Sequence, residues 1–184
     1  MIDKYAELVS LIGHNLIRGI FISVILLIIV KMLFKRKLET EISLRIIKWI
    51  IIIYSFAALT SYSLLFIFPH EEKYAFLERA NGPYSWAYWL MLFANCIIPL
   101  ILLNKRIGKN IYIILCITIF MNIGWVFESF VIHMTSMHRD YISDNFNPYL
   151  PSKGETRILI QGFVIGLISL LIGNGIQKWR IKTE

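Results

Sequence analysis

The sequence predicts an all-α, polytopic membrane protein that crosses the bilayer five times, with its N-terminus outside and its C-terminus inside. Of the 184 residues, 57% are hydrophobic and 17% are charged, and the mean hydropathy is +0.64. A soluble domain carries about 25% charged residues. Apolar runs of about 20 residues recur, which is long enough to cross a hydrocarbon core of about 30 Å. Residues 1–184 are therefore predicted to form a single transmembrane bundle.

Each predicted helix is bounded by a polar or helix-breaking segment. KRKLETE separates the first two helices, Pro69 followed by HEEK ends the second, and Gly82-Pro83 precedes the third. NKRIGKN forms a tight hairpin between the third and fourth helices, and the loop DYISDNFNPYLPSKGE precedes the fifth. The predicted spans are 9–34, 45–69, 84–104, 110–136 and 158–178.

The orientation follows from the distribution of Lys and Arg between alternate loops. Twelve lie on one predicted side, namely Lys31, Lys35, Arg36, Lys37, Arg45, Lys48, Lys105, Arg106, Lys109, Lys178, Arg180 and Lys182. Six lie on the other, namely Lys4, Lys73, Arg79, Arg139, Lys153 and Arg157. The cluster YSWAYW at the start of the third span is typical of an interfacial aromatic belt. The richer side is predicted to face the cytoplasm.

Composition also excludes several classes of protein. Cys96 and Cys116 lie inside apolar runs, which excludes a secreted disulfide framework. They are predicted to be packed free thiols at the same height on the two sides of the 104–110 hairpin. The net charge of +7 does not indicate a nucleic-acid partner, because the basic residues punctuate apolar runs. The start, MIDKYAE, does not resemble a cleavable signal. Pro99 is expected to kink the third span and to free a carbonyl that Asn95 or a neighbour must satisfy.

The stretch HRDYISDN, residues 138–145, matches the catalytic-loop pattern of protein kinases letter for letter. A kinase also needs a Gly-rich loop and a D-F-G metal ligand, and the sequence contains neither. The preceding residues, IYIILCITIFMNIGWVFESFVIHM, are typical of a membrane span. The motif is therefore predicted to lie at the outer surface and to have another role.

Two ionisable residues of different spans are predicted at the same depth. Glu128 lies about 12 Å, and Arg18 about 13 Å, below the outer edge of its span at 1.5 Å per residue. A charge at that depth is costly unless it is paired, so one hypothesis is an ion pair across the bundle. The alternative is a protonated Glu128 bonded to a neighbouring hydroxyl, with Arg18 extended outward.

His14 and His133 also share a depth near the outer edge. Two facing histidines could ligate a haem. The alternative is that one or both are interfacial or hydrogen-bonded residues. No metal site is predicted.

The block YAFLERANGPYSWAYWLMLFANCIIPLILLNKRIGKN, followed by MNIGWVFESFVIHMTSMHRDYISDNFNPY, resembles the C-terminal half of one family. It is similar to the NrfD/polysulfide-reductase membrane subunit, as found in alternative complex III, a bacterial quinol:cytochrome c oxidoreductase. The resemblance is continuous over about residues 70–150 and weaker over 9–69.

The resemblance implies a bacterial cytoplasmic membrane subunit that binds no haem or metal itself. Such subunits take quinol (menaquinol or ubiquinol) from the bilayer and pass its electrons to an iron–sulfur subunit on the outer face, within a complex that also has haem c subunits. Glu128, His133, Arg18 and His14 are then the candidates for quinol and proton handling. The outer-face docking candidates are Glu78, Arg79, His138, Arg139 and Asp140.

The chain also departs from this family. Members are about twice as long, so that a separate N-terminal-half subunit is one possible partner. They tend to carry Glu-Arg where this chain has Glu128-Ser129, and an acid in the helix where it has Thr60, Ser61, Tyr62 and Ser63. The sequence predicts a subunit that is not an enzyme in isolation. The alternatives are a di-histidine haem b protein, a small transporter or channel, and a non-catalytic assembly anchor.

Overall fold

The structure, a computed structural model, describes residues 2–34, 38–68, 80–82, 85–127, 130 and 153–183. The ordered elements in this part of the chain are helical throughout. They comprise α1 (Ile2–Ile12), a π-helical turn (Gly13–Ile17), α2 (Ile20–Phe34), α3 (Thr40–Ile67), α4 (Ser85–Cys96), 3₁₀ turns (Ile98–Leu103 and Ile107–Lys109), α5 (Ile111–Met121) and α6 (Lys153–Thr183).

Four of the described helices are long and apolar enough to cross a membrane, which indicates a multi-pass membrane protein. These are Ile2–Phe34 with 33 residues, Thr40–Ile67 with 28, Ser85–Leu103 with 19 and Thr156–Trp179 with 24. The span predicted at 110–136 is represented by α5, which has 11 residues, and by a helical turn at 123–127. The rest of that prediction lies largely outside the described residues.

Four predicted boundaries, in three helices, are wrong because the prediction followed the apolar runs alone. The first helix begins at Ile2 rather than residue 9, because Ala6 and Val9 are buried against the bundle. The second begins at Thr40 rather than residue 45, where Thr40 and Ser43 are buried. The last extends over Lys153–Thr183 rather than 158–178. Buried small and polar residues therefore extend the first two of these helices past their apolar centres.

Helix α6 packs closely along α2, and glycines allow the approach. A Cβ added at Gly19 would lie 2.7 Å from the backbone nitrogen of Gly162. The Ser23 hydroxyl donates a hydrogen bond to the Gly162 carbonyl at 2.6 Å, and one turn further on Gly166 lies against Ser23. The two helices run parallel, since residues 19 and 23 pair with 162 and 166. Small residues and an interhelical hydrogen bond are the usual means of joining helices in lipid.

The apolar core fills one half of the bundle, next to the 104–110 hairpin. It is formed mainly by α2, α3 and α5 around side chains that are at most 2% exposed: Ile20, Val24, Leu27, Ile47, Ile51, Ile52, Leu102 and Ile114. In this half α2 and the first turns of α3 follow regular helical geometry. The opposite half of the bundle is the one in which α1 begins and α3 ends.

The predicted kink at Pro99 is present. Helix α4 ends at Cys96, and the chain continues as a 3₁₀ turn from Ile98 with the proline near its start. The Ser55 hydroxyl of α3 lies 2.8 Å from both the Asn95 and the Cys96 carbonyl oxygens, so its single proton is shared between them. The partner is thus a serine on the neighbouring helix rather than the Asn95 side chain, whose amide bonds to the Met91 carbonyl.

The expectation that both cysteines are packed thiols holds for one of them. Cys96 is buried and packs with Val9 and Ala58. Cys116 is exposed, on the outward face of α5. The hairpin register alone sets the height of a residue, whereas the rotation of each helix decides which side chain faces inward.

Candidate functional site

A cavity of about 380 Å³ lies between four helical segments in the half of the bundle where α1 begins and α3 ends. Its volume is within the range of about 300–1,000 Å³ typical of small-molecule sites. The wall from Tyr54 to Leu65 of α3 corresponds to a length of about 16 Å at 1.5 Å per residue. The polar and aromatic lining includes Ser10, His14, Arg18, Tyr54, Tyr62, Tyr88, Asn95, Asn122 and Trp125.

Three of the four helical segments depart from α-helical geometry where they border this cavity. The first has the π-helical turn Gly13–Ile17, the third ends its α-helix at Cys96, next to Asn95, and the fourth is interrupted at Asn122. Irregular backbone at membrane depth is tolerated where it is buried in protein or lines a cavity. Single π turns within α-helices are frequent at functional sites. The three interruptions together mark the cavity as the best candidate site.

The π-helical turn and the Tyr54 phenol fit each other closely. A Cβ added at Gly13 would lie 2.7 Å from the Tyr54 hydroxyl oxygen. Gly13 therefore has no room for a larger residue, because the phenol occupies the place of its side chain. This contact places the Tyr54 hydroxyl at the cavity wall beside His14.

His14 lines the cavity from the π-helical turn, and its ring has a defined tautomer. Its Nδ1 lies 2.8 Å from the Ser10 carbonyl oxygen. Because a carbonyl only accepts hydrogen bonds, Nδ1 carries a proton and donates it to Ser10. In the neutral tautomer with this hydrogen bond, Nε2 is the acceptor. The side chain is exposed at the surface of the bundle. In this state His14 can accept a proton at Nε2 or ligate a metal.

Arg18 follows the π-helical turn and extends into the same cavity. Its guanidinium carbon lies 5.7 Å from the centroid of the Trp125 ring, which is the geometry of a cation–π contact. This contact brings the first span and the segment after α5 together, three residues before Glu128. The predicted Arg18–Glu128 pair stays a prediction, since Glu128 lies outside the described residues.

Asn122 combines burial with an unsatisfied acceptor. Only 5% of the residue is exposed, and its amide nitrogen donates to the Thr118 carbonyl at 2.9 Å. Its side-chain oxygen, Oδ1, is buried and accepts no hydrogen bond from the part of the chain that the structure describes. A buried acceptor without a partner costs about 1–3 kcal/mol. The cavity borders this residue, but Oδ1 itself has almost no accessible surface, so a molecule in the cavity does not reach that oxygen.

The region from α4 to the turn after α5 closes the cavity on one side. Trp86 packs edge-on against Phe127, with ring centroids 5.7 Å apart. Gly124 lies directly against the Met91 side chain. Of the predicted aromatic belt, Trp86 and Trp89 are 59% and 49% exposed, as expected at an interface, whereas Tyr88 turns inward and lines the cavity. One face of the cluster is thus interfacial and the other belongs to the site.

The structure brings together two of the predicted site residues, His14 and Arg18. The other candidates lie outside the described residues: Glu78, Arg79, Glu128, His133, His138, Arg139 and Asp140. Within the described part of the chain, no three His, Cys, Asp or Glu side chains are grouped so as to hold a metal ion.

Several cavity residues were not predicted from the sequence, above all Tyr54, Tyr62 and Tyr88. The cavity-lining residues of α3 form a stripe along one face of that helix: Tyr54, Ser61, Tyr62 and Leu65. The sequence does carry a signal for this stripe, since these residues recur at helical spacing within an apolar run. Thr60 and Ser63, which flank this stripe, are exposed. No signal in the sequence marked the π-helical turn.

Comparison of the chain with models of protein families, with curated proteins and with solved structures finds no match.

Proposed function

We propose that this chain is an integral membrane subunit of a quinol-oxidising electron-transfer complex similar to alternative complex III. The observation that carries the proposal is the polar cavity among apolar helices, bordered by Arg18 and His14. The resemblance of residues 70–150 to the NrfD-like subunits supplies the reaction class. Both fit a chain with several apolar helices of membrane-spanning length.

Quinol oxidation releases protons, so that the site needs groups that accept and relay them. His14 is suited to this, because its Nδ1 proton is held by the Ser10 carbonyl and Nε2 is left as the acceptor. Glu128 and His133 are the proposed continuation of the relay. Arg18 would stabilise the ionised form of Glu128, since an opposite charge nearby favours the charged state.

The proposed orientation places the start of α1 and the end of α3 outside. The iron–sulfur subunit would then dock on segments 70–83 and 137–157, the second of which includes the start of α6. These segments carry Glu78, Arg79, His138, Arg139 and Asp140. Electrons would leave through that subunit to haem c partners. The proposed location is the bacterial cytoplasmic membrane.

Purification of the tagged chain from its native membrane in mild detergent tests the assignment. We expect a multi-subunit complex with haem c and iron–sulfur signals, and membranes lacking the chain should lose quinol-dependent reduction of the acceptor. A stable lone monomer with unchanged quinol oxidation in the deletion strain would overturn the proposal.

A second candidate is a haem b protein with His14 as one ligand. It is favoured by the fixed tautomer of His14, since haem-ligating histidines commonly donate the other ring proton to a carbonyl. A Soret band in the purified chain that disappears in His14→Ala would establish it. A transport role is the third candidate, because interrupted helices also build transporter sites, and uptake into vesicles would distinguish it from electron transfer.

A further inference from the structure

We propose that a basic corner of this chain binds the head group of an anionic phospholipid, with the lipid phosphate held between α3 and the 104–110 hairpin. Five exposed or half-buried cations form the basic corner: Arg45, Lys48, Lys105, Arg106 and Lys109. The proposal rests on apolar helices of membrane-spanning length and is independent of the proposed function.

The hairpin and α3 are joined at Gly108, which has no room for a side chain. A Cβ added there would lie 3.0 Å from Cδ of Lys48, so the aliphatic part of Lys48 lies across the hairpin backbone. Its ammonium nitrogen lies 5.5 Å from the centroid of the Trp49 ring. Arg45 lies one turn before Lys48 on the same side of α3, because residues three apart are neighbours on a helix surface. The cations of α3 and of the hairpin therefore belong to one cluster.

The basic corner has few acidic neighbours to balance its charge. Residues 42–70 and 79–127 contain no Asp or Glu, so the hairpin and the two helices that it connects contribute positive charge alone. On the other side of the corner, Glu39 and Glu41 lie at the start of α3. The five cations therefore outnumber the carboxylates next to them, and the corner has the charge that attracts an anion.

The basic corner also lies deeper than the ends of the neighbouring helices. Lys48 is eight residues past Thr40, where α3 begins, which corresponds to about 12 Å at 1.5 Å per residue. At the end of α2, next to the start of α3, Met32 and Leu33 are each 71% exposed. The short span that ends at the hairpin has 19 residues, whereas the first has 33. A bilayer adapts to a short span by local thinning, which draws lipid head groups towards the hairpin.

The surroundings of the corner fit a lipid better than a free phosphate. Arg and Lys bind phosphate through charge-assisted hydrogen bonds, and basic pockets between transmembrane helices bind phospholipid head groups. Next to the cations, Trp49, Ile53 and Leu103 are 49%, 65% and 48% exposed, and these side chains can contact acyl chains. A phospholipid supplies both the phosphate and the acyl chains, whereas a free phosphate supplies only the first.

Competition between spin-labelled lipids tests the proposal. The purified full chain, with any partners that accompany it, is reconstituted in phosphatidylcholine vesicles, and the motionally restricted lipid is measured by electron paramagnetic resonance. We expect labelled phosphatidylglycerol to associate about tenfold more tightly than labelled phosphatidylcholine, since one cation near an anionic head group contributes about fivefold. Equal association of the two lipids would overturn the proposal. Soluble glycerophosphate should leave the preference unchanged, and its loss would overturn the assignment to a lipid.

Paired substitutions locate the contact. Lys48→Gln with Lys109→Gln is expected to reduce the preference to about twofold. The matched control, Lys178→Gln with Lys182→Gln, removes two exposed lysines near the end of α6 and should retain the full preference. Retention of the preference in the first variant, or an equal loss in both, would overturn the proposal. Should the first variant fail to fold, Lys109→Gln alone, at an exposed hairpin position, should still lose more of the preference than the control.

Discussion

The contact between Gly19 and Gly162 gives the most direct test of how the bundle is held together. We consider Gly162→Ala, the smallest substitution that adds a side chain there. The new Cβ would meet the Gly19 carbonyl oxygen and would lie 2.6 Å from the Cβ of Ile22, whereas ordinary contacts begin at 3.4 Å. Both neighbours are backbone or branched atoms that cannot rotate away, so α6 must move about 1 Å from α2.

Overpacking of this kind costs about 1–3 kcal/mol. The movement also weakens the bond from the Ser23 hydroxyl to the Gly162 carbonyl, which contributes about 0.6–1.5 kcal/mol in membrane proteins and buried sites. We expect a total loss of about 2–4 kcal/mol in the free energy of unfolding. Ser23→Ala removes the hydrogen bond without adding volume and should lose only the smaller amount.

The matched control is Gly175→Ala on the same helix. A Cβ at Gly175 meets nothing within 4 Å, and Ala is a better helix former than Gly by about 1 kcal/mol. We therefore expect no loss of stability. The free energy of unfolding is measured in mixed micelles with a rising fraction of sodium dodecyl sulfate, followed by circular dichroism. Equal losses for Gly162→Ala and Gly175→Ala would refute the packing described here.

Three further predictions concern the site and the orientation. In a double-mutant cycle, Arg18→Leu and Trp125→Leu should show a coupling of about 0.5–2 kcal/mol in stability, as expected for a cation–π contact, and strict additivity would contradict it. Ser55→Ala should lower the free energy of unfolding by about 1–3 kcal/mol, because it leaves two carbonyls of the third span without a donor. Thr60→Ala should be neutral in the same micelle assay, because the Thr60 hydroxyl is exposed and bonds within its own helix. In a chain without native cysteines, Lys105→Cys should react with a membrane-impermeant maleimide only after the cells are opened, and labelling of intact cells would reverse the proposed orientation.

The helical class and the apolar spans could be predicted because each rests on a local property of the sequence. Length and hydropathy locate a span, and Pro99 predicts an irregularity through its missing N–H. The ends of helices were less well predicted. Thr40 and Ser43 are polar, and they are helical and buried because Gly173 of α6 lies against Ser43. That contact joins residues 130 positions apart, and no local pattern reveals it.

The site was predictable only in part for a related reason. His14 and Arg18 drew attention because charge and polarity are rare inside a membrane span. Tyr54 and Tyr88 have apolar rings and attract no such attention, although both line the cavity. Which face of a helix points inward depends on its neighbours, and the π-helical turn rotates His14 in a way that the α-helical period does not describe.

The distribution of irregular backbone bears on whether the cavity has a function or is a packing defect. Around Ile47 and Leu27 the side chains are fully buried and helices α2 and α3 are regular, and the 3₁₀ turn Ile98–Leu103 adds Leu102 to the same core. At each interruption of a helix the backbone finds other partners: the Arg18 N–H donates to the Gly13 carbonyl, the Asn122 N–H donates to the Ile119 carbonyl, and Ser55 donates to the carbonyls at the end of α4. Three such interruptions border the same cavity. Random defects would be scattered along the spans and filled by collapse of the neighbouring side chains. The three interruptions instead border one opening of ligand size, whose walls carry hydrogen-bond donors, acceptors and aromatic rings. The cavity is therefore an opening of ligand size bordered by three irregular helical segments, and this makes it the best candidate for a binding site.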